Sequence, residues 1–215
     1  MFSGIIEALG RIEDQQVIHS GLTRIKVSRP KEFDDLKVGD SISMNGLCLT
    51  LENFDERHLN FALGAETLKI LCTDESCLRL AGQQVNLERS LQLGDRIHGH
   101  LVSGHVDEKQ KILEKTDLGE VILLKIFFSK RFRPFVFCKG SIAVNGVSLT
   151  VNDIGLSEEQ NFFSVCLIPE TLKRTNLGQL KAGDSVLLEF DWFSKIFSHQ
   201  IQIFLETKFQ SETSR

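Results

Sequence analysis

A cysteine and a serine hold matching places in a segment that this chain carries twice. Residues 41–50 read Ser-Ile-Ser-Met-Asn-Gly-Leu-Cys-Leu-Thr, and residues 141–150 read Ser-Ile-Ala-Val-Asn-Gly-Val-Ser-Leu-Thr. Six of the ten positions are identical. Chance gives about one match in twenty per position, so this is a duplication. Its chemical difference is Cys48 in one copy against Ser148 in the other. Two similar pockets that differ at a nucleophilic position need not both be equipped for chemistry. Taken alone, Cys48 reads as a small buried hydrophobe, the usual fate of a free cysteine. His98, His100 and His105 lie close in sequence, but no carboxylate or cysteine cluster completes a metal site, so no metal is expected.

The elements that must position these groups are also doubled. Ser3-Gly4 matches Ser103-Gly104, Glu66-Thr67-Leu68-Lys69 matches Glu170-Thr171-Leu172-Lys173, and Ala81-Gly82-x-x-Val85-x-Leu87-Glu88 matches Ala182-Gly183-x-x-Val186-x-Leu188-Glu189. A period near 100 residues is too long for a solenoid unit and right for a duplicated domain. In the first half, alternation and turn residues predict strands over 2–11, 22–27, 41–44, 47–52, 59–63 and 85–89, with a helical turn over 66–70. Asn45-Gly46 and Asn145-Gly146 are strong hairpin turns. In the second half the spacing predicts strands over 121–127, 162–168 and 186–190. Regular short strands point to an all-β chain of two six-stranded antiparallel barrels. From Trp192 the apolar residues 193, 196, 197, 201, 204 and 205 fall at helical spacing. That stripe either packs back on a barrel or self-associates about a symmetry axis. The expected units are 1–97, 98–190 and the helical tail 191–215.

Composition excludes several classes. With 215 residues the chain suits two compact units and a tail. A net charge of -4 and the lack of a basic stripe argue against nucleic acid. No apolar run approaches the roughly 20 residues of a membrane span. The N-terminus has neither a basic n-region nor a cleavage site, so no signal peptide is expected. Five cysteines without a Cys-x-x-Cys pair fit free thiols in a reducing cytoplasm.

Four motifs then occur in order: Met1-Phe2-Ser3-Gly4-Ile5-Ile6, the 41–50 block, Gly99-His100-Leu101-Val102-Ser103-Gly104-His105-Val106-Asp107, and Ile168-Pro169-Glu170-Thr171-Leu172-Lys173-Arg174-Thr175-Asn176-Leu177-Gly178. Together they closely resemble riboflavin synthase of the α-chain type, over residues 1 to 205. The resemblance implies tandem Greek-key barrels and the dismutation of two molecules of 6,7-dimethyl-8-ribityllumazine. A four-carbon unit passes between them, giving riboflavin and 5-amino-6-ribitylamino-uracil. It implies no metal or cofactor. It also implies a homotrimer held by the terminal helices, with each active site between the N-terminal barrel of one subunit and the C-terminal barrel of its neighbour. Association with lumazine synthase is left open.

The resemblance also assigns residues. Cys48 is a nucleophile or proton carrier, and His105 an acid–base group, since imidazole titrates near neutrality. Ser41, Ser148 and Thr150 match pocket hydroxyls, although each could serve only a turn. Gly4, Ile5, Ile6, Leu47, Cys48, Leu49 and Ala62, Leu63, Gly64, Ala65, Glu66, Thr67 are expected at the first-barrel pocket. Gly104, His105, Val106, Lys139, Ser148, Leu149, Thr150 and Cys166, Leu167, Ile168, Pro169, Glu170, Thr171 are expected at the second. Glu66, Thr67, Glu170 and Thr171 would hold ribityl hydroxyls, or merely cap short helices.

Three departures stand out. Residues 62–67 and 71–77 differ from the family pattern, which bears on the first pocket, and Leu187 replaces a usual asparagine. The rival reading is a lumazine- or flavin-binding protein of the same fold without catalysis. Cys48 and His105 favour the enzyme. A β-barrel adaptor for a peptide or nucleic acid would need a basic or aromatic stripe, and the chain has no tyrosine and one tryptophan.

Overall fold

A computed structural model describes residues 1–71, 79–157 and 160–213. The first half forms strands β1 (Ala8–His19), β2 (Leu22–Ser28), β3 (Ser41–Met44), β4 (Leu47–Phe54) and β5 (His58–Gly64), helix α1 (Ala65–Leu71) and β6 (Gln84–Arg89). The second forms β7 (Glu108–Asp117), β8 (Ile122–Phe127), β9 (Ser141–Val144), β10 (Val147–Leu156), β11 (Asn161–Leu167), α2 (Pro169–Arg174) and β12 (Ser185–Phe190). Helix α3 (Trp192–Thr213) follows.

Each set of six strands closes into an antiparallel barrel. The first runs β1-β2-β5-β4-β3-β6, and the second repeats that order as β7-β8-β11-β10-β9-β12. Within the first, β6-β3-β4-β5 is a Greek key: three hairpin-connected strands, with the fourth returning beside the first of them. The turns explain the hairpins. Asn45 and Gly46 have φ of 49° and 87°, and Asn145 and Gly146 have 47° and 78°. Two successive positive φ values make the turn whose twist matches paired strands.

Alternation decides which face holds a core and which can hold a site. Along β4, Leu47, Leu49 and Leu51 are buried while Cys48 and Thr50 turn outward. Along β10, Val147, Leu149 and Val151 are buried while Ser148 and Thr150 turn outward. Phe61 and Phe163 fill the two interiors with no exposed surface, each contributing roughly 2–3 kcal/mol by burial. The interiors are therefore packed, and a ligand must lie on an outer face.

Three elements differ from the sequence reading. The strand expected over 2–11 begins at Ala8, and Phe2 makes only an isolated bridge with Val102. Gly4, at φ 75°, breaks the extended path, and the Ser3 and Gly4 amides go to the Glu88 side chain instead of a strand. Strand β7 was not expected, because only Glu108 and Ile112 of its ten residues are buried and the rest lack an apolar alternation. The strand expected over 162–168 stops at Leu167, since Pro169 starts α2 and fits a first helical position. The departure at 72–77 lies outside the described residues.

The barrels meet tip to tip. A Cβ on Gly46 would lie 2.9 Å from the Gly146 amide nitrogen, and one on Gly146 would lie 2.7 Å from that of Gly46. Beside these turns Asn86 donates to the Asn145 carbonyl (2.9 Å) and to Asn176 Oδ1 (3.0 Å), and Asn176 Nδ2 donates to Asn45 Oδ1 (3.0 Å). The repeat partner of Asn86 is Leu187, which packs against the first barrel's core. One side of the pseudo-dyad is thus hydrogen-bonded and the other apolar.

Helix α3 leaves its apolar stripe uncovered. Phe193, Phe197, Ile201, Phe204 and Leu205 are 47%, 62%, 60%, 66% and 45% exposed, while Ile196 is half-buried. Its first turns border a groove of about 470 Å³ with Pro134 and Phe137.

Candidate functional site

The outward face of β4 carries Cys48 and that of β10 carries Ser148, and each is closed by a loop from the other half of the chain. The Cys48 amide donates to the Gly104 carbonyl, and the Ser148 amide donates to the Gly4 carbonyl, both at 2.8 Å. Both positions need glycine. A Cβ on Gly104 (φ 84°) would lie 2.5 Å from Cys48 Cβ, and one on Gly4 (φ 75°) would lie 2.6 Å from Ser148 Cβ. The next residues follow the same crossing. Ile6 packs in the second barrel's core and Val106 in the first's. This corrects the sequence grouping: Gly4, Ile5 and Ile6 belong with Ser148, while Gly104, His105 and Val106 belong with Cys48. Comparing the copies aligns like with like, so it cannot show that the loops exchange places.

Two buried carboxylates hold these loops. Glu88 Oε1 accepts from the Ser3 amide (2.7 Å) and hydroxyl (2.8 Å), and its Oε2 accepts from the Gly4 amide (3.0 Å). Glu189 Oε1 accepts from the Ser103 amide (2.6 Å) and hydroxyl (2.7 Å), and its Oε2 accepts from the Gly104 amide (2.9 Å). Burial pushes the Glu88 carboxyl up to about 7 against the pull of its donors, and raises Glu189 in the same way. The sequence signal was the glutamate kept at the end of both Val-x-Leu-Glu blocks.

His100 is the second feature the sequence reading missed. Its Nδ1 lies 2.7 Å from Ser148 Oγ, partly buried. Desolvation holds its pKa below the usual imidazole range, so the ring is neutral near pH 7. The Ser148 half therefore holds a hydroxyl–imidazole pair. His105 is exposed, and its amide donates to Ser103 Oγ at 3.1 Å.

The remaining candidates divide by burial. Leu47, Leu49, Leu63, Leu149 and Leu167 are buried in the barrel cores, so only their backbone can meet a ligand. Ala62, Thr67, Cys166 and Thr171 are half-buried; Ile5, Gly64, Ala65, Glu66, Lys139, Thr150, Ile168, Pro169 and Glu170 are exposed. Glu66 sits in the first turn of α1, and Glu170 forms an ion pair with Arg174 within α2. Ser41 pairs with Thr50, two residues along β3 from Ser43, which faces Cys48. It borders a polar cavity of about 690 Å³ that Ser3, Ile5 and Glu88 also line, with Asp35, Arg89 and His98. Among the described residues no group of three or more His, Cys, Asp or Glu side chains could hold a metal.

A family model described as a lumazine-binding domain matches twice, over residues 3–90 and 103–191. The riboflavin synthase of Chlamydia pneumoniae is 39% identical over 201 residues, covering 91% of this chain and 92% of that protein. That of Brucella abortus is 35% identical over 202 residues, covering 91% and 95%. The chain belongs to the riboflavin synthase family. Solved structures share the fold. LumP complexed with riboflavin aligns with a TM-score of 0.75 at 23% identity, over 88% of this chain and 99% of that one. LumP complexed with 6,7-dimethyl-8-(1'-D-ribityl) lumazine aligns at 0.72. The two family matches begin at Ser3 and Ser103, the residues whose amides the buried glutamates hold.

Proposed function

We propose that this chain catalyses the riboflavin synthase reaction, converting two 6,7-dimethyl-8-ribityllumazine molecules into riboflavin and 5-amino-6-ribitylamino-uracil. The observation that carries this is the pair of crossed half-sites, alike in backbone and unlike in chemistry: a thiol at Cys48, a hydroxyl–imidazole pair at Ser148 and His100. The reaction joins two copies of one molecule in different roles, so two related but unequal pockets suit it. Holding two reactants in register can itself lower the barrier by roughly 7–11 kcal/mol.

In this reading Cys48 adds to, or carries a proton for, the lumazine that accepts the four-carbon unit. The neutral His100 takes a proton through Ser148 from the other lumazine and later returns it. His105 stands on the Cys48 side as a second acid–base group. Backbone around Gly104 and Gly4 approaches the planar rings, and Glu66, Thr67, Glu170 and Thr171 take the ribityl chains. The uncovered stripe of α3 supports a homotrimer, in which a Cys48 half meets the Ser148 half of a neighbour. This reading puts the enzyme in the cytoplasm, where its free thiols stay reduced, and it is compatible with association with lumazine synthase.

The test is to incubate the purified protein with the lumazine alone and follow riboflavin by absorbance, with Cys48→Ser and His105→Gln alongside. Turnover that falls in both variants supports the assignment. Stable, fluorescent binding without riboflavin would make the chain a carrier.

A further inference from the structure

Glu88 and Glu189 each serve the half-site of the barrel to which they do not belong. Glu88 stands on β6 of the first barrel, yet the Ser3-Gly4 loop it holds closes on Ser148 of the second. Glu189 stands on β12 of the second barrel, yet the Ser103-Gly104 loop it holds closes on Cys48 of the first. Both residues are nearly inaccessible, at 3% and 2% exposure, and their carboxylates are engaged by the Ser-Gly pairs they hold. Each carboxylate gathers the two amides and the hydroxyl of its Ser-Gly pair, which orients the following glycine carbonyl. That carbonyl receives the amide of Ser148 or Cys48 at 2.8 Å. The chain of contacts runs from glutamate to glycine carbonyl to strand amide with no other residue between.

We infer that Glu88 and Glu189 are positioning residues acting in crossed fashion, Glu88 on the Ser148 half-site and Glu189 on the Cys48 half-site. This rests on the proposed activity and deepens it. Each half-site is therefore sensitive to how the opposite barrel is seated, and the two halves are tied together in one subunit before any neighbour joins.

Double-mutant cycles on the full chain test the crossing. Glu88→Gln and Glu189→Gln keep the shape but offer one acceptor oxygen and place an amide donor near the glycine N–H. Each should lower kcat/KM by about tenfold, mostly in kcat, since misplaced reacting groups cost rate more than binding. Combined with Ser148→Ala, Glu88→Gln should cost less than a further threefold or so; combined with Cys48→Ser it should cost its full tenfold or so. Glu189→Gln should show the opposite pattern. Ser3→Ala and Ser103→Ala, which remove only the hydroxyl bond, repeat the cycles if a glutamine variant does not fold. Uncrossed coupling, equal coupling to both half-sites, or full additivity would each overturn the inference. If the wild-type chain makes no riboflavin, that failure belongs to the proposed function, and the same cycles are read in riboflavin affinity by fluorescence quenching.

Discussion

Replacing Gly104 with alanine should damage the Cys48 half-site far more than the fold. Three costs can be worked out. An alanine at φ 84° is in the left-handed region, at about 1–2 kcal/mol. Its Cβ would stand 2.5 Å from Cys48 Cβ, where carbons prefer roughly 3.5–4.0 Å, so the loop must retreat by about 1 Å. That retreat stretches the 2.8 Å bond between the Cys48 amide and the Gly104 carbonyl, for about 1 kcal/mol more. The expected loss of stability is about 2–4 kcal/mol by denaturant unfolding. A shift near 1 Å at a reacting group can cost about 10²-fold in rate, so kcat/KM should fall on that order. Gly119→Ala is the control. Gly119 also has positive φ, 91°, but nothing lies within 4 Å of its Cβ position. It should lose only about 1–2 kcal/mol and keep its activity. Gly104→Ala with wild-type kcat/KM, or with losses equal to those of Gly119→Ala, would refute the close approach of this loop to Cys48.

Other outcomes follow from the same structure. The folded-state pKa of Glu88, about 7, lies above the ordinary carboxyl value of 4.5, because burial disfavours the charge and Glu7 adds a smaller push. The folded state thus holds this proton more tightly; the contribution is full below pH 4.5 and is lost as pH rises through 7. At about 1.4 kcal/mol per unit, the destabilisation by Glu88→Gln should shrink by up to about 3 kcal/mol from pH 4.5 to pH 8, read as the difference between paired unfolding curves. Asn176→Ala leaves Asn86 and Asn45 short of partners between the barrels and should cost about 1–3 kcal/mol, whereas Leu187→Ala on the apolar side opens a cavity at about 2–5 kcal/mol. Phe197→Asp with Phe204→Asp places two charges on the exposed stripe of α3, and gel filtration should show monomers with little activity; an active oligomer would remove α3 from the assembly.

Much of the fold was legible because its signals are local. Asn45-Gly46 and Asn145-Gly146 announce turns that need two positive φ values, and β3, β4, β9 and β10 follow from the alternation beside them. The duplication made the second barrel readable from the first. The start of β1 was misread because Phe2, an apolar residue next to Ser3-Gly4, pairs with its own repeat at Val102 and not with a sheet neighbour. The site was legible in its parts and not in its grouping. Gly4 and Ser148 are 144 residues apart in sequence, and only the exchange of loops between barrels brings them together. His100 could not be told from His98 or His105 by spacing, since burial beside Ser148 is what separates it.

Under the proposed function, one catalytic site is assembled from a Cys48 half and a Ser148 half on neighbouring subunits. Mixing is its most direct test: Cys48→Ala and Ser148→Ala proteins, each impaired alone, are dissociated together, allowed to reassemble, and assayed for riboflavin formation. Random pairing gives an intact pair of halves at about one site in four, so activity should recover to roughly a quarter of wild type. No recovery from mixtures shown to contain both chains in one oligomer would contradict the account and place both halves of the site within a single chain.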